Sequence, residues 1–171
     1  FIQSAVNTFS AAVVEGNSAA ANADSLVYEV MAAPYTACST FISQNYGAHN
    51  KERIQKAYRV SLVYSFGVGA VLGLALMFFG GGFLRIFTPD PEVIAAGMEK
   101  LHIMGWSYAF SAFMDNSLAA SRGLGKSAVP VAIVILGSCV FRVIWVYTIF
   151  AVFHTLTSLY LLYIFSWALT A

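Results

Sequence analysis

The sequence predicts an all-α membrane protein, a polytopic bundle of about six transmembrane segments. Residues 60–84 carry no charged side chain, and at ~1.5 Å of rise per residue a helix of this length exceeds the ~30 Å hydrocarbon layer. Hydrophobic residues make up 59% of the chain and charged residues 10%, with a mean hydropathy of +0.73, whereas about a quarter of a soluble domain is charged. Since the strand-like alternation of a membrane barrel is not found, the bundle is expected to be helical.

The first two apolar segments are expected to be separate helices. The first covers residues 1–14 and should end at Glu15-Gly16-Asn17, and the second covers residues 23–47, interrupted by Glu29 and Pro34. Both chain ends lie inside apolar runs, so the first and last segments are expected to be truncated. We therefore expect the chain to be part of a longer protein.

Prolines mark the starts of two later segments. The four later segments cover residues 57–83, 92–121, 127–153 and 155–171. The segment 92–121 follows Thr88-Pro89-Asp90-Pro91, a helix-start signal because proline fixes its own φ and disfavours a helical residue before it. The segment 127–153 has Pro130 in its first turn, where a missing N–H costs little.

The basic residues predict the orientation in the membrane. Those near residues 49–56 are Lys51, Arg53, Lys56 and Arg59, and those near residues 122–127 are Arg122 and Lys126. Alternating topology places both loops on one side, and short cytoplasmic loops are enriched in Lys and Arg. Both loops are therefore expected to be cytoplasmic, with Arg85, Lys100 and most acidic residues towards the outside.

Two adjacent polar residues are expected inside the fourth segment. Asp115 and Asn116 lie seven and six positions before Arg122, so Asp115 should lie ~10 Å inside the cytoplasmic boundary. Charge at this depth often serves ion or substrate movement. Asp115 could bind Na⁺ or exchange a proton, and a structural role as a hydrogen-bond acceptor stays open.

Further polar residues could line a cavity or hold helices together. Gln3 and Asn7 share a helix face by their spacing of four, and either cavity lining or interhelical hydrogen bonding would fit them. Glu29 and Arg142 are expected at similar depths near the outer side, which suggests an ion pair. The alternative is that Glu29 lies at the membrane interface and that Arg142 extends its long side chain outward to the interface without forming the pair.

Aromatic residues surround the position of Asp115. Tyr108, Phe110 and Phe113 lie within seven positions of it, and aromatic faces attract organic cations. A pocket for flat cations and simple packing are both open. The pair Gly69 and Gly73 in the third segment predicts close approach of a neighbouring helix.

Several function classes are not expected from the residues. We find no nucleophile with a base, no cluster of metal-ligating residues and no complete phosphate loop, so neither an enzyme nor a cofactor or metal is expected. The net charge of +1 comes without a basic block, so nucleic acid is not an expected partner.

Four parts of the sequence carry a resemblance to a known family. They are Gly16-Asn17-Ser18-Ala19-Ala20, then Phe41-Ile42-Ser43-Gln44-Asn45-Tyr46-Gly47-Ala48 with Lys51-Glu52-Arg53-Ile54, then Ser121-Arg122-Gly123-Leu124-Gly125-Lys126-Ser127 with Pro130, and finally His154-Thr155-Leu156 and Ser158-Leu159-Tyr160 with Ser166-Trp167-Ala168-Leu169-Thr170. These parts resemble the multidrug and toxic compound extrusion (MATE) family. The most specific part is the run of Gln44, Asn45 and Gly47, and Arg122 with Gly123 forms the second motif. The resemblance extends over the whole chain.

The resemblance implies most of the C-terminal lobe, helices seven to twelve, of a two-lobe, twelve-helix transporter. Such proteins export organic cations and other amphipathic compounds across the plasma membrane in exchange for Na⁺ or H⁺. The lipid bilayer, small organic cations and the N-terminal lobe of the same protein would be the partners. By helix, Asp115 matches an acidic residue of the tenth helix in some members, about one turn away, whereas Gln3 and Asn7 stand near the position of a seventh-helix acid.

Two other functions remain open at this stage. A related flippase for lipid-linked saccharides would need a larger and more cationic cavity for phosphates, and Arg142 is the one deep arginine expected here. A membrane scaffold without transport activity would have an interior packed with apolar residues and Asp115 paired.

Overall fold

In the computed structural model, which describes residues 2–170, all regular secondary structure is helical. The six helices are α1 (Ile2–Val6), α2 (Ala11–Gly47), α3 (Lys51–Leu84), α4 (Pro91–Gly123), α5 (Ala128–Phe153) and α6 (Leu156–Thr170). The prediction of a helical chain is confirmed for this range. Phe1 and Ala171, the outer ends of the first and last expected segments, lie outside the described residues.

Helix α2 is longer than the sequence pattern predicts. It runs without interruption from Ala11 to Gly47, so the expected break at Glu15-Gly16-Asn17 is wrong, and the chain instead leaves helical geometry between Val6 and Ala11. Gly16 is a contact residue: a Cβ there would lie 2.6 Å from the carbonyl oxygen of Val93. Glycine is needed at this position for close approach to α4, and the helix continues through it.

The starts of α3 and α4 are capped by side chains. Asn50 accepts a hydrogen bond from the backbone N–H of Arg53 at 3.1 Å, so α3 begins six residues before the predicted segment and its basic residues lie in the first turns of a helix. Asp90 accepts from the N–H of Glu92 at 2.8 Å, with Pro91 as the first helical residue. The predicted helix start at this proline signal is confirmed.

Helices α2 and α4 run parallel, and α3 runs antiparallel to both. A Cβ at Gly73 of α3 would lie 2.1 Å from the carbonyl oxygen of Gly105, and one at Gly69 would lie 3.0 Å from that of Tyr108. The two backbones therefore touch along this line, and the predicted packing role of Gly69 and Gly73 is confirmed.

The bundle exposes many large apolar side chains and buries several polar residues in its interior. Among residues 2–170, two helices, α3 and α5, are long and apolar enough to cross a membrane, and only 17% and 6% of their most apolar stretches are buried. On α3, Phe78 and Phe79 are each 77% exposed. The buried polar residues include Ser61, Ser65, Lys100, Ser107, Ser111, Asp115 and Asn116. Such an arrangement suits a lipid environment.

Helix α5 contains two π-helical stretches, Ile135–Val140 and Val146–Phe150. Arg142 lies in the short α-helical segment between them. Near the first stretch α5 approaches α6 closely, because a Cβ at Gly137 would lie 2.2 Å from Cγ2 of Thr170. Stretches of this kind are frequent at functional sites.

Candidate functional site

The central feature of the interior is an ion pair between α2 and α4. The Nζ atom of Lys100 lies 2.7 Å from Oδ2 of Asp24, and the two side chains are 7% and 23% exposed. The same ammonium group donates to the backbone carbonyl of Asn17 at 3.4 Å. Removing either charge would leave the other without its countercharge inside the bundle.

Both oxygens of the Asp24 carboxylate are in use. Tyr108 of α4 donates its hydroxyl proton to Oδ1, while Lys100 contacts Oδ2. Tyr160 of α6 donates to the side-chain oxygen of Asn17 at 3.4 Å. A polar network thus connects α2, α4 and α6 at one level of the bundle.

A cavity of about 280 Å³ lies beside this network. Its wall contains two carboxylates and four aromatic rings as well as two serines and a methionine. They are Asp24, Glu29, Tyr28, Tyr108, Tyr163, Trp167, Ser25, Ser111 and Met104. Aromatic faces and carboxylates both attract cations. The wall thus combines negative charge with aromatic rings.

Arg142 supports the cavity wall from behind one of its rings. Its Nε donates to the hydroxyl of Ser166 at 2.9 Å, and its guanidinium carbon lies 4.5 Å from the centre of the Tyr163 ring. The expected pair with Glu29 is not formed. Among the described residues the one ion pair is that between Lys100 and Asp24, because Arg142 finds its partners on the adjacent helix α6.

Asp115 lies deep in α4, outside the cavity wall. It is 6% exposed, and its Oδ2 has no hydrogen-bond partner. The neighbouring Asn116 donates to the carbonyl of Ala112 at 2.9 Å and accepts from the hydroxyl of Ser61. Asn116 therefore serves the packing of α3 on α4, whereas one carboxylate oxygen of Asp115 is buried without a hydrogen-bond partner.

The other expected pathway residues lie away from the cavity. Gln3 donates to the side-chain oxygen of Asn7 at 3.0 Å, which confirms their shared face, but both are exposed and neither lines the cavity. Phe113 packs against Phe66, with ring centres 5.8 Å apart, and Phe110 is 55% exposed. Of the expected aromatic residues only Tyr108 reaches the cavity.

The two sequence motifs meet at one end of the bundle. Asn45 donates to the carbonyl of Phe41 at 2.8 Å, and its own carbonyl accepts from Asn50 at 2.9 Å, so it shapes the turn after α2. A Cβ at Gly123 would lie 2.6 Å from the carbonyl of Ser39. The motifs therefore pack the C-terminal ends of α2 and α4 against each other.

Sequence reasoning missed the roles of Asp24 and Lys100, which it left near the outer boundary. That followed from placing the start of the second segment at residue 23. Lys100 lies nine residues into α4, which corresponds to ~14 Å. The seven-residue spacing of Asn17 and Asp24, two turns on one helix face, was the signal available in the sequence.

Comparison with known proteins gives consistent relatives. The MatE family model matches residues 1–148. The chain is 26% identical over 118 residues to the probable multidrug resistance protein NorM of Thermotoga maritima, covering 69% of the chain and 25% of that protein. It is 27% identical over 124 residues to the probable multidrug resistance protein YpnP of Bacillus subtilis, covering 71% and 28%.

A third relative matches over a similar share of its length. The probable multidrug resistance protein NorM of Photorhabdus laumondii subsp. laumondii is 21% identical over 114 residues, covering 67% of this chain and 24% of that protein. The chain thus spans about a quarter of the length of the curated relatives it matches. Because the family model matches most of the residues, the chain belongs to the MatE family of membrane transporters, which are not enzymes.

Proposed function

We propose that this chain forms most of the C-terminal lobe, helices seven to twelve, of a secondary-active antiporter in the cell membrane. The antiporter exports organic cations and other amphipathic compounds in exchange for Na⁺ or H⁺. The observation that carries this proposal is the cavity in which Asp24 and Glu29 stand among four aromatic rings. The N-terminal lobe would supply the facing half of the passage.

The lining of the cavity favours a cation over a phosphate. Both charged residues on the wall are carboxylates, which would repel the diphosphate of a lipid-linked saccharide. Arg142 contacts Ser166 and the Tyr163 ring instead of opening into the cavity. A scaffold without transport activity would not need a cavity with this lining. An exporter of organic cations therefore fits better than either alternative.

Asp115 is our candidate for the residue that binds the coupling ion. Its unpartnered oxygen is buried, and an uncompensated charge at membrane depth is costly. Binding Na⁺ or a proton would remove that cost. Exchange of the bound ion could then bias the transporter between its two open states.

Replacing Asp115 with asparagine is expected to remove the response of efflux to the coupling gradient. Efflux of a cationic dye from vesicles containing the intact transporter would be measured under a Na⁺ gradient and, separately, under a pH gradient. Glu99→Gln is the matched control, because Glu99 is an exposed carboxylate on the same helix. An Asp115→Asn protein with the wild-type rate and ion dependence would exclude Asp115 from coupling.

The orientation gives a second prediction. Since α2 and α4 are parallel and their motif ends touch, the basic turns after both helices should face the cytoplasm. In a background without Cys38 and Cys139, cysteines at Lys51 and Lys126 should react with a membrane-impermeant reagent only from the cytoplasmic side. A cysteine at Arg85, the C-cap of α3, should react from the outside. Labelling of Lys51→Cys and Arg85→Cys from the same side would contradict the topology.

A further inference from the structure

Lys100 lies outside the cavity wall and forms an ion pair with Asp24, which is part of it. Its ammonium group lies 2.7 Å from the carboxylate, yet Lys100 is not part of the cavity wall, whereas Asp24 is. The Asp24 carboxylate therefore stands between a fixed cation behind the wall and the space in front of it. The lysine is 7% exposed and cannot turn towards water without breaking the pair.

This arrangement leaves one wall carboxylate without compensation. Glu29 is exposed towards the open side, and within residues 2–170 it forms no ion pair. The charges of Asp24, Glu29 and Lys100 sum to −1, because Lys100 offsets one of the two carboxylates. Arg142 lies behind the Tyr163 ring and stays constant in the variants considered below, so it does not affect their comparison.

We propose that Lys100 sets the valence of the cation that the cavity accepts and makes it selective for monovalent over divalent organic cations. This inference rests on the proposed function, since it requires a cation site at the cavity. A monovalent cation balances the charge of Glu29, whereas a dication brings one positive charge more than the wall offsets. Without Lys100 the wall would carry two uncompensated carboxylates and would favour the dication.

Two flat cations of nearly the same shape can test the proposal. N-methyl-phenylpyridinium carries one positive charge, and N,N′-dimethyl-bipyridinium (methyl viologen) carries two on a similar pair of rings. Their affinities for the intact transporter would be measured by isothermal titration in detergent at constant ionic strength. Wild type should prefer the monovalent cation. Lys100→Gln should shift the affinity ratio roughly tenfold towards the dication, since the charge of Asp24 would then act on the cation at short range without its countercharge.

Charge-matched variants separate valence selection from bracing of the fold. Lys100→Arg keeps the charge, and the double variant Asp24→Asn with Lys100→Gln removes both members of the pair and keeps the sum at −1. Both should retain the wild-type ratio. If Lys100→Gln kept the wild-type ratio, or if the double variant shifted it as far as Lys100→Gln does, the proposal would be overturned.

Glu29→Gln gives an independent test that does not disturb the buried pair. Because Glu29 is exposed, this variant should fold, and it should weaken binding of the monovalent cation roughly tenfold since no uncompensated carboxylate remains on the wall. Unchanged binding would overturn the proposal, because Glu29 would then not be the charge that the cation balances. If wild type bound neither cation, the proposed cation site would be refuted, and the role of Lys100 with it. If the cations bound but the variants kept the wild-type selectivity, only the role of Lys100 would be refuted.

Discussion

Asp24→Asn is expected to destabilise the protein by ~3–5 kcal/mol, the usual cost of removing one member of a buried ion pair. The ammonium group of Lys100 would remain 7% exposed, with a 3.4 Å contact to the Asn17 carbonyl as its remaining hydrogen bond. Tyr108 would also lose its charged acceptor. The loss would be measured as a lower melting temperature in detergent, determined from the fraction of protein that stays monodisperse after heating.

Two controls separate this effect from general sensitivity of α2. Glu29→Gln removes an exposed carboxylate on the same helix and should change stability by no more than about 0.5 kcal/mol. Adding Lys100→Gln to Asp24→Asn should restore much of the lost stability, because no buried charge then lacks a partner. Equal melting temperatures for Asp24→Asn and Glu29→Gln would contradict the buried pair.

Gly73→Leu is expected to disrupt the contact between α3 and α4. Already a Cβ at this position would lie 2.1 Å from the Gly105 carbonyl oxygen, and a backbone atom cannot move aside as a flexible side chain can. Overpacking of this kind costs ~1–3 kcal/mol or more, so a marked loss of monodisperse protein after heating is expected.

Gly67 provides the matched control for that substitution. It lies on the same helix and is exposed, and a Cβ added there would meet no atom of a neighbouring helix within 4 Å. Gly67→Leu should therefore behave like wild type in the same heating experiment. A Gly73→Leu protein as stable as Gly67→Leu would show that the backbones of α3 and α4 do not touch at Gly73.

The sequence was sufficient for features that depend on local chemistry. The charge-free run of residues 60–84 predicted a long apolar helix, and Asp90 with Pro91 predicted the start of α4. Gly69 and Gly73 predicted a close helix contact because glycines at this spacing share one face. In each case the residues that carry the information are near one another in the chain.

Features that depend on partners distant in the chain could not be predicted. Gly16 looked like a helix end, but its contact is Val93 on α4. Arg142 and Glu29 matched in estimated depth, yet depth does not give the angular position around a helix, and Arg142 instead contacts Ser166. Lys100 was left at the outer boundary because its buried partner Asp24 was itself misplaced. Of the residues predicted for the pathway, only Tyr108 lines the cavity, and the cavity carboxylates Asp24 and Glu29 were not predicted as pathway residues.

The outward-facing phenylalanines and inward-facing serines also determine which forces hold the helices together. Lipid hydrocarbon tails are as apolar as the exposed rings of Phe78 and Phe79, so burying such rings between helices gains little free energy in a membrane. Helix association then depends on dispersion contacts and interhelical hydrogen bonds. Replacing one apolar residue on this lipid-facing surface with another should therefore have little effect on stability. At Gly69 and Gly73, in contrast, even one added methyl group would collide with the backbone of α4.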